Sequence, residues 1–279
     1  MDRSNPKPTP SPAKKERYSP NKDPANRRQF KCSEELCKYI SDRTNGYTLL
    51  YFSCGKDSVV AWLQLRRYFP HILPFYMYAV PGLSFVENAI DYYQQYFGCK
   101  IYQFPNPSVF DMMRDNVFAT PDQADVYDAL DYPPDIQGTT DLENSIREWC
   151  TGLDNPIPEH AGYGMAMTAT GVRSADSINR MSTIRKYGSV NYVTGQFYPI
   201  YDFKKERMVK ELREANIALP VDYTIFGRTF DGLDARFIEP LKEYNTDDYE
   251  KIKAYFGLVD VDIRRLQHRR EYWANRNVY

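Results

Sequence analysis

The sequence predicts an α/β fold, a Rossmann-like doubly wound parallel sheet followed by a helical C-terminal region. Two observations carry this expectation. Tyr47–Phe52 is a near-continuous apolar run of strand length, as a strand buried on both faces requires. Downstream, strand-like segments alternate with segments whose apolar residues recur at helical spacing, the pattern of parallel strands joined by crossover helices. A length of 279 residues suits one large domain with appendages, or two small ones.

Taken in order, residues 1–28 hold six of the 19 prolines, mixed with Lys, Ser and Asn and almost nothing apolar. This stretch is expected to be a disordered basic tail. A short helix is expected over Ser33–Arg43, and Asn45-Gly46 turns the chain into the first strand. The small-residue loop at 53–58 follows, then a helix over Val59–Phe69. Pro70 and Pro74 bracket the break before a second strand at Phe75–Val80. Pro81-Gly82 ends that strand, and Phe85–Phe97 is an amphipathic helix stopped by Gly98. Lys100–Phe104 is a third strand. From Asn106 to Gly164 prolines and acidic residues dominate; an irregular insertion is expected, with one helical stretch near Glu143–Cys150. Regularity returns with a strand at Met165–Thr170 and a turn–helix at Gly171–Arg180. Tyr192–Thr194 and Pro199–Tyr201 carry a last strand or two. Helices are then expected near Lys205–Ala215, Asp247–Phe256 and Val261–Ala274.

Composition narrows the function classes. A net charge of −1 creates no overall field that would recruit nucleic acid or anionic membrane. The distribution is uneven, with a basic N-terminal stretch and a second cluster at Arg264-Arg265, Arg269-Arg270 and Arg276. Such runs are usually solvated faces, and a nucleic-acid partner is compatible but not required. The five cysteines are scattered with no CxxC pair, and the three histidines are dispersed, which argues against a disulfide framework and a zinc site. No metal ligand set is expected. No apolar run reaches membrane-span length and the N-terminus lacks a signal-type apolar region, so a reduced cytoplasm is the expected location. The 24 Tyr and 15 Phe point to an aromatic core.

The strand–loop–helix around Ser53-Cys54-Gly55-Lys56-Asp57-Ser58 carries the chemistry. Small residues between a buried strand and a helix let backbone N–H groups converge on an anion, and the helix N-terminus adds partial positive charge. Gly55 permits close approach, Ser53 and Ser58 offer hydroxyls, and Lys56 supplies charge. A Walker A loop is excluded, because Asp57 follows the lysine and Leu50 stands where its first glycine belongs.

This loop resembles the SGGKDS signature of the PP-loop, or adenine nucleotide α-hydrolase, superfamily. More narrowly, the chain resembles the phosphoadenosine phosphosulfate (PAPS) reductase family, in its divergent phage and mobile-element branch. Gly171–Arg180 is similar to that family's GxRxxES…R segment, with Asp176 for Glu. Pro199-Ile200-Tyr201-Asp202-Phe203 is similar to its P-[IL]-x-D-W segment, with Phe for Trp. Val80–Phe85 stands where many members carry Asp-Thr-Gly. The loop, Gly171–Arg180 and Pro199–Phe203 occur in the family's order.

The resemblance implies an ATP- or PAPS/APS-type nucleotide held at the C-terminal edge of the sheet. It also implies cleavage of ATP between the α and β phosphates, with Mg²⁺ as companion, to adenylate an unidentified acceptor. Ser53, Cys54, Gly55, Lys56, Asp57, Ser58, Val80 and Gly171 would bind the nucleotide, and Asp57, Arg173, Asp176 and Arg180 would serve catalysis. Residues 29–240 would form this domain, and residues 241–279 a helical extension. Two departures stand out. The reductases act through a C-terminal cysteine, and no Cys follows Cys150 here. Cys54 replaces a loop glycine; at a helix N-terminus such a thiol can be activated, though a tolerated small residue is the commoner case. Sulfonucleotide handling and a non-catalytic nucleotide-binding module are the rival readings.

Overall fold

The computed structural model describes residues 29–108, 112, 115, 117, 118 and 167–276. The tail at 1–28 and nearly all of the expected insertion, including Cys150 and His160, lie outside the described residues. The strands are β1 (Tyr47–Tyr51), β2 (His71–Tyr78), β3 (Tyr102–Pro105), β4 (Thr168–Thr170), β5 (Val190–Asn191) and β6 (Gln196–Phe197). The helices are α1 (Ser33–Arg43), α2 (Lys56–Leu65), α3 (Ser84–Phe97), α4 (Ile178–Tyr187), α5 (Lys205–Glu214), α6 (Asp222–Ile225), α7 (Ala235–Tyr244), α8 (Thr246–Tyr255) and α9 (Val259–Arg276).

The six strands form one sheet in the order β3-β2-β1-β4-β6-β5. Every neighbouring pair is parallel except β5–β6. The α/β Rossmann-like expectation therefore holds, with one short antiparallel edge. β2 and β3 add on one side of β1 and β4 on the other, so the winding reverses between β1 and β4. Leu49 and Leu50 on β1 and Ala169 on β4 are fully buried, which is why their runs are apolar without alternation. Phe52, Trp62, Tyr93 and Phe97 interlock on one face: Trp62 stacks on Phe97 at 3.8 Å, and Phe52 meets Trp62 and Tyr93 edge-on. Phe237, Tyr249 and Phe256 from the C-terminal helices belong to the same buried cluster. Among the described residues no helix is long and apolar enough to cross a membrane.

Several expected boundaries move. β2 begins at His71 and carries Pro74 inside it, opposite Leu50. The Phe52 N–H donates to the Phe75 carbonyl, so the polar groups of Phe75 face β1 and those of Pro74 face the other edge. There β3 begins only opposite Phe75, so the missing proline N–H costs no ladder bond. α2 begins at Lys56, inside the loop, because Gly55 already serves as its N-cap. The helix expected to end at Arg180 instead starts at Ile178 and runs to Tyr187, after a 3₁₀ turn at Ser174–Asp176. Tyr192–Thr194 is the turn between β5 and β6, and Pro199–Tyr201 is a turn after β6. α6 and α7 were not expected; Pro240 inside α7 masks its helical period.

One long-range cap holds the helical region to the sheet. α3 is preceded by Leu83, which offers no side-chain cap. Asp248 on α8, fully buried, accepts instead from the Ser84 N–H at 2.9 Å, the Ser84 hydroxyl at 2.7 Å and the Phe85 N–H at 3.4 Å. Asn245 Nδ2 and Lys251 Nζ also donate to it. Burial pushes this carboxyl up, but the Ser84, Lys251 and Phe85 hydrogen bonds outweigh it and leave the group below its ordinary value. A carboxylate with a depressed folded value contributes stability above the unfolded-state range and loses it as pH falls through the folded value. Asp248→Ala is therefore expected to cost about 3 kcal/mol at neutral pH. In urea unfolding, the gap to wild type should narrow as pH drops below the ordinary 3.8. A gap that stays constant down to acid pH would contradict this role.

Candidate functional site

The loop between β1 and α2 opens at the C-terminal end of the sheet, beside the reversal between β1 and β4. In open α/β sheets that crevice is where ligands bind. A cleft of about 730 Å³ lies there, lined by Ser53, Lys56, Asp57, Ser58, Thr170 and Gly171, with Arg180, Tyr223, Arg228 and Thr229 on its other walls. A second cleft of about 260 Å³ adjoins it, lined by Phe52, Tyr76, Met77, Ala79 and Leu233. The two share Tyr51, Ser53, Phe230 and Asp231.

The loop is held by its own serines. The Ser53 N–H donates to Ser58 Oγ at 3.2 Å, and the Ser58 hydroxyl donates to the Gly55 carbonyl at 2.9 Å. Cys54 takes φ +59°, the left-handed region that glycine adopts freely and other residues at a cost. Its side chain turns into the core and is 4% exposed. Burial pushes the thiol well up, and Asp222 and Glu87 add to the shift. This is the opposite of thiol activation at a helix N-terminus. Cys54 is thus a buried small residue at a glycine-type position.

Behind the loop runs a chain of alternating charges. Lys56 Nζ lies 3.0 Å from Asp57 Oδ2, and Arg173 Nε lies 2.9 Å from Asp57 Oδ1. Arg173 then reaches Asp176 at 2.6 Å, and Asp176 pairs with Arg180 at 2.7 Å. The Asp57–Arg173 contact has charge proximity without hydrogen-bond alignment, so Asp57 Oδ1 and Arg173 Nε, both buried, have no hydrogen-bond partner among the described residues. Thr170 Oγ1, at the end of β4, is a third such atom. Asp176 also accepts from the Arg173 N–H, which closes the 3₁₀ turn. The Ser174 N–H and hydroxyl both donate to the Tyr201 carbonyl, tying this segment to the one around Pro199–Phe203. Asp202 there accepts from Ser33 and anchors the start of α1.

Of the residues singled out from the sequence, Ser53, Lys56, Asp57, Ser58, Gly171 and Arg180 line the larger cleft. Gly55 is buried under Thr229: a Cβ added to it would lie 2.4 Å from Thr229 Oγ1. Arg173 and Asp176 form the charge chain behind the loop, with the Arg173 side chain only 10% exposed. Val80 is buried in the core, and its neighbour Ala79 lines the smaller cleft.

The segment over the loop is absent from the sequence expectations. Tyr223 on α6 accepts the Lys56 N–H at 3.0 Å through its hydroxyl, and that hydroxyl meets Thr229 Oγ1 at 3.1 Å. Phe226 and Phe230 pack with Phe85 and Phe237, which fixes this turn above α2. Asp222 steadies the turn by accepting from the Phe230 N–H at 3.0 Å, while burial pushes its carboxyl up. Arg228 projects from the turn and pairs with Asp231. The only local signal was Gly227, which adopts φ +70°.

No family model matches this chain. No curated protein matches it either. Among solved structures it is similar to the NH3-dependent NAD synthetase from Campylobacter jejuni subsp. jejuni in complex with the nitrate ion, at 14% identity and a TM-score of 0.39. That similarity covers 85% of this chain and 92% of the other.

Proposed function

We propose that this chain is a PP-loop enzyme of the PAPS reductase-like type that binds ATP and cleaves it between the α and β phosphates, adenylating an acceptor. The observation that carries the reading is the juxtaposition, at one sheet reversal, of the Ser53–Ser58 loop with Lys56, Arg180 and Arg228 around a single cleft. Backbone N–H groups, a helix N-terminus and three cations suit a polyphosphate. The smaller, more apolar cleft alongside suits the base.

In the proposed reaction an acceptor oxygen attacks the α-phosphorus. The bond to the bridging oxygen breaks, and pyrophosphate departs with the electron pair. Lys56, Arg180 and Arg228 would neutralise the charge that gathers on the leaving group. Arg173, held between Asp57 and Asp176, would position Asp57 and through it Lys56. Mg²⁺ would supply further neutralisation of the phosphates. Asp57, which lines the cleft, is the protein carboxylate that would hold it, the other ligands coming from phosphate and water. Among the described residues no thiol lines the larger cleft, as the sulfonucleotide-reducing alternative would need, and Cys54 faces the core.

Gly55→Val is expected to drive the Thr229 turn off the loop and block backbone approach. Calorimetric ATP affinity should fall about 10- to 100-fold, the worth of one or two charge-assisted hydrogen bonds, with circular dichroism unchanged. Wild type incubated with α-labelled ATP and candidate acceptors should release AMP or pyrophosphate. Unaltered affinity in a folded Gly55→Val protein would overturn the site. Binding without turnover on any acceptor would favour a nucleotide-binding module.

A further inference from the structure

α9 is the one element whose far half the sheet and the site do not use. It runs 18 residues, and its buried contacts end early: Val259 and Ile263 are buried and Leu266 is half-buried. Among the described side chains, every one from Gln267 to Arg276 is exposed. Ten residues of helix, about 15 Å at 1.5 Å per residue, therefore stand clear of the body. A helix that is polar all round needs a reason for its sequence, and this one carries Tyr272 at 47% and Trp273 at 55% exposure.

Positions four apart stack on one helix face. Arg264, His268 and Tyr272 form one such row, continued by Arg276, whose guanidinium lies 4.7 Å from the Tyr272 ring centre. Arg265, Arg269 and Trp273 form the adjacent row. The first row lies opposite Val259, Ile263 and Leu266, which face the body; the second turns toward the Leu266 side, and Trp273, seven residues beyond Leu266, is exposed because the helix has by then cleared the protein. Arg270 falls outside them and pairs with Glu239. Arg264, Arg265 and Arg269 make no ion pair among the described residues, and Glu271 is the only acid between Arg264 and Arg276. The projecting half of α9 thus carries guanidinium groups without an ion pair among the described residues, followed by two exposed aromatic rings.

We propose that this projecting half of α9 binds single-stranded nucleic acid, the arginines pairing with phosphates and Tyr272 and Trp273 stacking on unpaired bases. An anionic membrane is the weaker fit. An interfacial helix buries a broad aliphatic face, whereas Val259, Ile263 and Leu266 pack on the protein and only Val261 and Ala274 are left exposed on α9. The inference is independent of the nucleotide site, since it uses no residue of either cleft.

Fluorescence anisotropy on the full chain tests it, with a labelled 20-nucleotide single strand, the matching duplex and phosphatidylserine vesicles as probes. Wild type should prefer the single strand. The exposed triple variant R264Q/R265Q/R269Q should bind more weakly and reduce the log–log salt slope by about 2, at about 0.7 per phosphate contact. W273A should weaken single-strand binding about tenfold while leaving that slope unchanged. Both variants should keep wild-type ATP affinity, which separates failure here from failure of the nucleotide site. The proposal is overturned if wild type binds no oligonucleotide, or prefers duplex or vesicles. It is equally overturned if both variants bind like wild type, or if deleting residues 1–28 alone abolishes binding.

Discussion

Arg173→Ala is expected to lower turnover about 100-fold and to destabilise the fold by about 3 kcal/mol. The guanidinium is 10% exposed and lies against two carboxylates, Asp57 at 2.9 Å and Asp176 at 2.6 Å. Its removal leaves both acids facing one hole. Asp57 would then be held by Lys56 alone, drawing that lysine away from the cleft. A misplacement of about 1 Å at a reacting centre is enough for a loss of this size. Arg173→Lys should not rescue, because a single ammonium cannot bridge two carboxylates as a planar fork does. Arg180→Ala should separate the two roles. That side chain is half exposed and lines the cleft, so turnover should fall with little change in melting temperature. Equal stability of the Arg173→Ala and wild-type proteins would contradict the bridging role.

Gly171→Ala should damage both the fold and the cleft. An added Cβ would lie 2.8 Å from the carbonyl carbon and oxygen of Asp57 and 2.9 Å from the Ser58 nitrogen. These are backbone atoms of the first turn of α2, and no rotamer change moves them aside. Overpacking of this kind costs about 1–3 kcal/mol. For a domain of this size, that corresponds to a melting-temperature loss of roughly 2–12 °C. Because the displaced atoms form the loop itself, ATP affinity should fall about tenfold or more as well. Gly232→Ala is the control for stability, since its added Cβ would meet neighbours only at ordinary contact, 3.5 Å and beyond. A melting temperature for Gly171→Ala equal to that of the Gly232→Ala protein would refute the close-packing account.

Much of this architecture was legible locally, because each signal is carried within a few residues. The near-continuous apolar run of Tyr47–Tyr51 marks a strand covered on both faces. α1 keeps the expected bounds, Ser33–Arg43, and Gly98 ends α3 in the left-handed conformation that glycine tolerates. The loop at 53–58 was recognisable because small residues between a strand and a helix are themselves the structural requirement.

Other features were settled by chain segments far apart in sequence. Pro74 signals a break by its own chemistry, yet it sits in β2 because β3 has not begun at that edge. Asp248 caps α3 across 164 residues, and nothing near either partner announces the other. The Cys54 thiol turns inward because the loop conformation and the surrounding core dictate its direction, whereas its position at a helix start left activation open beside the commoner reading of a tolerated small residue. Tyr223 and Thr229 lie over the loop because an aromatic cluster around Phe226 and Phe230 packs their turn against α3 and α7. Periodicity and turn chemistry set what each segment becomes. Which carboxylate meets which cation depends on how those segments pack, and no window of local sequence contains that information.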